Sequence, residues 1–136
     1  MNVRAFAFRD GVKLPTRAHP MDTGLDMFML EGGRIMPGET LVIPTGFGID
    51  IPNGYTARMQ VRTSIAQKGI IIQGCAIDAG YKGELHIILH NVSNHIFKWE
   101  KNDRLGYIEV YPCQYVNLVI EEPKGRGTNC FGSTGK

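Results

Sequence analysis

Cysteine is scarce in this 136-residue chain: Cys75, Cys113 and Cys130 are odd in number and none belongs to a CxxC pair. That excludes a secreted disulfide framework and a zinc ribbon, and fits reduced thiols in a cytosol. Long apolar runs are missing as well. The longest, near GIIIQGCAI (69–77), is far short of the roughly 20 residues that cross a bilayer, so no membrane partner is expected. Arg4, Arg9 and Asp10 interrupt the start, where an export signal needs an apolar stretch. The expected location is cytoplasmic, or the host cytoplasm if the source is viral. Excess charge is also absent, since 15 Lys and Arg against 13 Asp and Glu leave a formal +2. The surface as a whole is therefore not a nucleic-acid or membrane face, no direct nucleic-acid binding is expected, and any anion site must be local. Seventeen glycines and seven prolines leave no room for long helices.

Between these breaks lie β-rich stretches: TLVI (40–43), FGIDI (47–51), YTARMQV (55–61), ELHIILHN (84–91), HIFKWE (95–100), RLGYIEVYP (104–112) and YVNLVI (115–120). In YTARMQV, Tyr55, Ala57, Met59 and Val61 share one side, as a half-buried strand requires. Only TSIAQK (63–68), closed by Gly69, has room for a short helix. Many short strands at regular spacing predict an all-β fold, a jelly-roll-like sandwich with one short helix. Mass scaling gives about 7,100 Å² exposed for one folded domain of this size. Residues 1–121 are expected to form that domain. Residues 122–136, rich in Gly, Ser, Thr and Asn, read as a flexible C-terminal arm.

Four places could carry chemistry. In GRGTNCFGSTG, glycine amides, Ser133, Thr134 and the fork of Arg126 suit an anion, although no Walker A spacing is present; the plainer reading is a solvated tail. Arg62-Thr63-Ser64 sits where a strand meets the helix, beside unpaired amides that attract phosphate, or forms an ordinary cap. GCAIDAGYKGEL (74–85) reads as a β-hairpin with Asp78 at the head of a turn, which is either a turn residue or a base. Asp26 in TGLDMF is an edge carboxylate or a holder of Mg²⁺ through water. His86, His90 and His95 raise zinc, but no cysteine or carboxylate completes a recognised spacing. Trp99 is assigned to the core.

Taken in order, these segments resemble the trimeric dUTP pyrophosphatase (dUTPase) family, whose five motifs match TGLDM (23–27), PGETLVIPTGFGIDIPNGY (37–55) through RTS (62–64), AIDAGYKGEL (76–85), NDRLGY (102–107) and RGTNCFGSTG (126–135). The resemblance implies a jelly-roll subunit, a homotrimer with sites between subunits, Mg²⁺, and hydrolysis of dUTP to dUMP and pyrophosphate. It implies further that Asp78 activates the attacking water and binds the sugar 3′-hydroxyl, and that Tyr81 packs on deoxyribose to exclude a 2′-hydroxyl. Main-chain groups from Ile72 through Ala76 to Ile77, with His86 on the return strand, would read uracil. Arg62, Thr63 and Ser64 would hold phosphates, and Asp26 would hold a Mg²⁺-bound water. Phe131 would stack on the base while Arg126, Gly132, Ser133 and Thr134 close on the phosphates.

The match departs at four positions. Thr63 replaces the usual serine and narrows the phosphate path; Tyr107 replaces glutamine and removes an amide; Cys130 replaces glycine before Phe131; Asn102 replaces a turn glycine, and asparagine tolerates left-handed backbone. Two alternatives remain open at this point: a dCTP deaminase-like enzyme, although GYKGELHIIL offers no obvious deamination base, and a nucleotide-gated regulatory binding protein of the same fold.

Overall fold

Among the described residues, short alternating segments become ten antiparallel strands and one helix: β1 (Arg4–Ala7), β2 (Leu25–Asp26), β3 (Gly33–Ile35), β4 (Thr40–Pro44), β5 (Phe47–Asp50), β6 (Tyr55–Val61), α1 (Thr63–Ala66), β7 (Ile70–Gln73), β8 (His86–Asn91), β9 (Phe97–Trp99) and β10 (Gly106–Pro112). The structure, a computed structural model, describes residues 1–74 and 76–125. Cys75, and with it Arg126, Cys130, Phe131, Gly132, Ser133 and Thr134 of the expected arm, lie outside the described residues.

Two three-stranded sheets, ordered β2-β10-β6 and β4-β8-β7, are joined by the pairs β1-β5 and β3-β9. Ala57 and Ile108 from the first sheet, and Ile70, Ile87 and Leu89 from the second, meet in one core with Phe47, Met27 and Ile35. This is the expected β-sandwich with one short helix. The pattern in β6 is the predicted one with a single exception. Thr56, on the outward side, is buried because residue 77 bridges to Ala57, and the Thr56 hydroxyl donates to the Ile77 carbonyl at 3.1 Å. Trp99 is 7% exposed and its Nε1 donates to the Glu31 carbonyl at 3.0 Å, which satisfies the one polar atom of a core indole. Asn102 adopts φ 69°, the left-handed geometry expected of a glycine substitute in this turn.

Two expectations fail. YVNLVI forms no strand. Its residues are exposed, Leu118 at 94% and Ile120 at 101%, because strand propensity without pairing to an edge leaves the backbone to solvent. β1, β2 and β3 were not expected as strands. Each is four residues or fewer, too short for a period to show.

Candidate active site

The hairpin predicted over 74–85 is present and is the main sculptor of the surface. β7 and β8 pair antiparallel from Ile70 opposite Asn91 to Gln73 opposite Ile88, and the chain between them folds over into a loop. At its tip the Tyr81 amide donates to the Asp78 carbonyl at 3.3 Å, and Gly80 has φ 91°, the positive value that such a turn demands at its third position. Asp78 therefore opens a β-turn through its backbone. Its carboxylate accepts no hydrogen bond among the described residues, and the side chain stands exposed. It is an uncommitted acid at a fixed point.

Behind this turn lies a cavity of about 310 Å³ lined by Ile72, Ala76, Ile77, Asp78, Tyr81 and His86, together with Met59, Gln73, Glu84 and Ile88. All six expected base and sugar residues that the structure describes are thus brought together. The walls are largely apolar, with Asp78, Tyr81, Glu84 and His86 as polar members, a lining suited to a flat heterocycle. The Tyr81 hydroxyl donates to the Glu84 carbonyl at 3.1 Å, which ties the ring back to its own loop. The Glu84 carboxylate accepts from Arg9 Nε at 2.7 Å and Nη2 at 3.1 Å, and from the Gly46 amide at 2.9 Å. The Arg9 hydrogen bond and charge hold Glu84 below the usual glutamate range, and the same pairing raises Arg9.

A second depression, of about 580 Å³, is lined by Asp26, Arg62, Thr63 and Ser64 with His19, Asp22, Gly24, Arg104 and Tyr107. The four expected phosphate and metal residues converge here. Arg62 follows β6, donates through Nη1 to the Arg104 carbonyl at 3.0 Å and stands at the N-cap of α1 without a side-chain cap bond. The ordinary-cap reading is thereby set aside: the Thr63 and Ser64 hydroxyls make no hydrogen bond among the described residues and stay exposed. Asp26 lies on β2 opposite Tyr107 of β10, and Arg104 Nη1 donates to its Oδ2 at 3.0 Å. Tyr107 packs flat on Gly24, where a Cβ would come within 2.2 Å of its Cδ2. The residue that replaces glutamine thus walls this depression with an aromatic ring.

Among the described residues, none lines both cavities. Arg104, Glu84 and His19 escaped sequence reasoning, although Arg104 lies inside NDRLGY and Glu84 inside AIDAGYKGEL. Their partners are 78 and 75 residues away, and no local pattern reveals such pairs. Among the described residues no group of three or more His, Cys, Asp or Glu is placed to hold a metal, so the zinc reading has no cluster to rest on. His90 instead shares a 2.8 Å hydrogen bond with Thr40.

A model of the dUTPase family matches residues 10–135. The chain belongs to the dUTPase family. Among its relatives is the deoxyuridine 5′-triphosphate nucleotidohydrolase of Clostridium tetani, 38% identical over 94% of this chain and 92% of the relative. Among solved structures, the dUTPase of Staphylococcus bacteriophage 80alpha with dUpNHpp superposes with a TM-score of 0.86 at 26% identity, covering 97% of each chain. A dUTPase from phage phi11 of S. aureus, in which a structural Mg(II) ion is described, superposes at 0.83 with 23% identity over 90% of this chain and 98% of that one. Both cavities are lined by residues within the span that the dUTPase family model matches.

Proposed function

We propose that the chain is a dUTP diphosphatase that limits uracil in DNA and supplies dUMP for thymidylate synthesis. The observation that carries this is the uncommitted Asp78 carboxylate beside Tyr81, at the mouth of a cavity sized for a nucleoside. In this reading the uracil edge meets main chain between Ile72 and Ile77 with His86 alongside, and Tyr81 fills the space a 2′-hydroxyl needs. Asp78 binds the 3′-hydroxyl and takes the proton of a water whose oxygen bonds to the α-phosphorus. The bond from that phosphorus to the bridging oxygen breaks and pyrophosphate leaves. Arg62, Thr63 and Ser64 hold the phosphates. Arg126, Phe131, Gly132, Ser133 and Thr134 remain assigned to closure over the nucleotide, with residues 122–136 as the arm.

Mg²⁺ fits the phosphate depression as a water-held ion. Asp26 presents one oxygen to Arg104 and its other accepts no hydrogen bond among the described residues, while no all-protein cage is present there. That is the donor set of a cation that keeps its waters and takes phosphate oxygens. When bound, the ion neutralises charge on the triphosphate.

We assign the working form to a homotrimer with sites between subunits. Three observations support it: the two cavities share no residue, the catalytic candidate is exposed, and an apolar run from Tyr115 to Ile120 lies uncovered. A cytoplasmic location accords with the free Cys113, and no helix among the described residues is long and apolar enough to cross a membrane. Pyrophosphate release from dUTP, UTP, dCTP and dTTP, with and without Mg²⁺, tests the whole reading. Release confined to dUTP and dependent on Mg²⁺ is expected, and equal turnover of UTP contradicts the role given to Tyr81.

A further inference from the structure

Tyr81 is 49% exposed, so packing alone does not fix its ring. What restrains it is the hydroxyl bond to the Glu84 carbonyl, and Glu84 is itself gripped from outside the hairpin. Arg9 lies just before the segment that the family model matches. It sets two nitrogens against both carboxylate oxygens of Glu84, the planar fork that gives an arginine–carboxylate pair its geometric precision. The Gly46 amide adds a third donor. With the carboxylate so engaged, Glu84 is not available as a second base, although it lines the same cavity as Asp78.

Neighbouring bonds show that this grip lands on backbone already stitched to the sandwich. The Leu85 amide donates to the Phe47 carbonyl at 2.8 Å, and the Thr45 amide donates to the Leu85 carbonyl at 3.0 Å. On the other side, the Phe8 amide donates to the Gly46 carbonyl at 2.8 Å, which anchors the segment carrying Arg9. The Glu84 carbonyl shares its peptide plane with the Leu85 amide, so the Phe47 bond holds that plane from one side and the Arg9 fork, through the Glu84 side chain, steadies it from the other.

We propose that Arg9 is a positioning residue for sugar discrimination: by forking Glu84 it fixes the carbonyl to which the Tyr81 hydroxyl is tied, and so sets how closely that ring meets the sugar C2′. This rests on the reading of Tyr81 given above. A surface ion pair by itself contributes little to stability, so the effect belongs in the preference for dUTP over UTP rather than in melting temperature.

The test compares kcat and KM for dUTP and UTP across the intact protein and its Arg9→Gln, Arg9→Lys, Tyr81→Phe, Tyr81→Ala and Arg4→Gln variants. Arg9→Gln narrows the dUTP-to-UTP ratio of kcat/KM by about tenfold, the scale expected when a positioned group is misplaced by less than an ångström. Tyr81→Phe, which removes the hydroxyl, narrows it similarly. The two changes combined add little, because they cut the same chain of contacts. Arg9→Lys keeps the charge but not the fork and is intermediate. Arg4→Gln removes a different ion pair, Arg4–Asp50 on β1, and leaves the ratio unchanged. If Arg9→Gln fails to fold, Arg9→Lys and Tyr81→Phe carry the same comparison. A collapse of the ratio in Tyr81→Ala but its full retention in Arg9→Gln overturns the role of Arg9 and leaves Tyr81 standing. An equal narrowing in Arg4→Gln also overturns it. Equal use of UTP by the intact protein, or no change in Tyr81→Ala, defeats the reading of the site and this proposal with it.

Discussion

The two cavities of this chain are built by opposite means. The one behind the Asp78–Tyr81 turn has largely apolar walls, and its shape comes from backbone: the β7–β8 register, a turn closed by a main-chain bond, and a return limb hydrogen-bonded to Thr45 and Phe47. The other, around Asp26 and Arg62, collects residues from three separate stretches, 18–26, 62–64 and 104–107, tied together by one ion pair and one arginine bond to a carbonyl. Backbone geometry tolerates side-chain change and carries shape selectivity. A charged lining carries affinity for an anion, and it is sensitive to any single charge and to salt.

The largest expected effect removes chemistry while leaving the shaped cavity intact. Asp78→Asn lowers kcat for dUTP by about 10²- to 10⁴-fold, the share of a general base, with dUTP binding retained by calorimetry. Arg62→Gln does the reverse in the charged depression. It raises KM by about 10- to 100-fold, as loss of a charge-assisted phosphate contact does, and it weakens the salt dependence of KM measured between low and high ionic strength.

Two glycines sharpen the contrast through stability. A Cβ at Gly48 would lie 2.5 Å from the Gly83 carbonyl oxygen, whereas one at Gly24 meets the Tyr107 ring. Backbone in a stitched loop cannot step aside, but a side chain at the rim of an open depression can. Gly48→Ala is therefore expected to cost about 1–3 kcal/mol in denaturant unfolding and to reduce dUTP selectivity. Gly24→Ala is expected to cost less and to act mainly on KM.

The smallest effect is titration of Glu84. Its folded pKa is depressed, chiefly by the Arg9 hydrogen bond, with help from the Gly46 amide and His86, while Glu31 faces Arg9. A depressed carboxylate contributes its anchoring above the ordinary glutamate range, and that contribution is lost as pH falls through the lowered value. In Arg9→Gln the loss begins at higher pH. The Glu84 carboxyl carbon shift, followed by NMR through the acid range, is expected to move its midpoint upward in that variant.

Much of the shaped cavity is legible in sequence because turn chemistry is local. In AIDAGYKGEL, Gly80 is where positive φ is needed, and the spacing then brings Tyr81 back onto Glu84. The short helix is legible for the same reason, bounded by the end of a β-pattern at Val61 and by Gly69, whose φ is 80°. The charged depression is legible only in part. Asp26, Arg62, Thr63 and Ser64 are named by resemblance, but the Arg104 partner of Asp26 depends on the pairing of β2 with β10, which no local period encodes. YVNLVI misleads because propensity describes what a segment can pair as, whereas pairing requires an edge within reach, and residues 115–120 take up none of the open edges of this chain.

The central claim is that one working site takes its shaped cavity from one chain and its charged depression from another. Co-expression of differently tagged Asp78→Asn and Arg62→Ala chains, each inactive by itself, followed by purification through both tags, tests it directly. Mixed trimers are expected to regain activity at about a third of their sites, one junction in each ring of three, since a neighbour supplies what each chain lacks. If the mixed assemblies stay at the level of the separate variants, Asp78 and Arg62 act within one chain and the account is wrong.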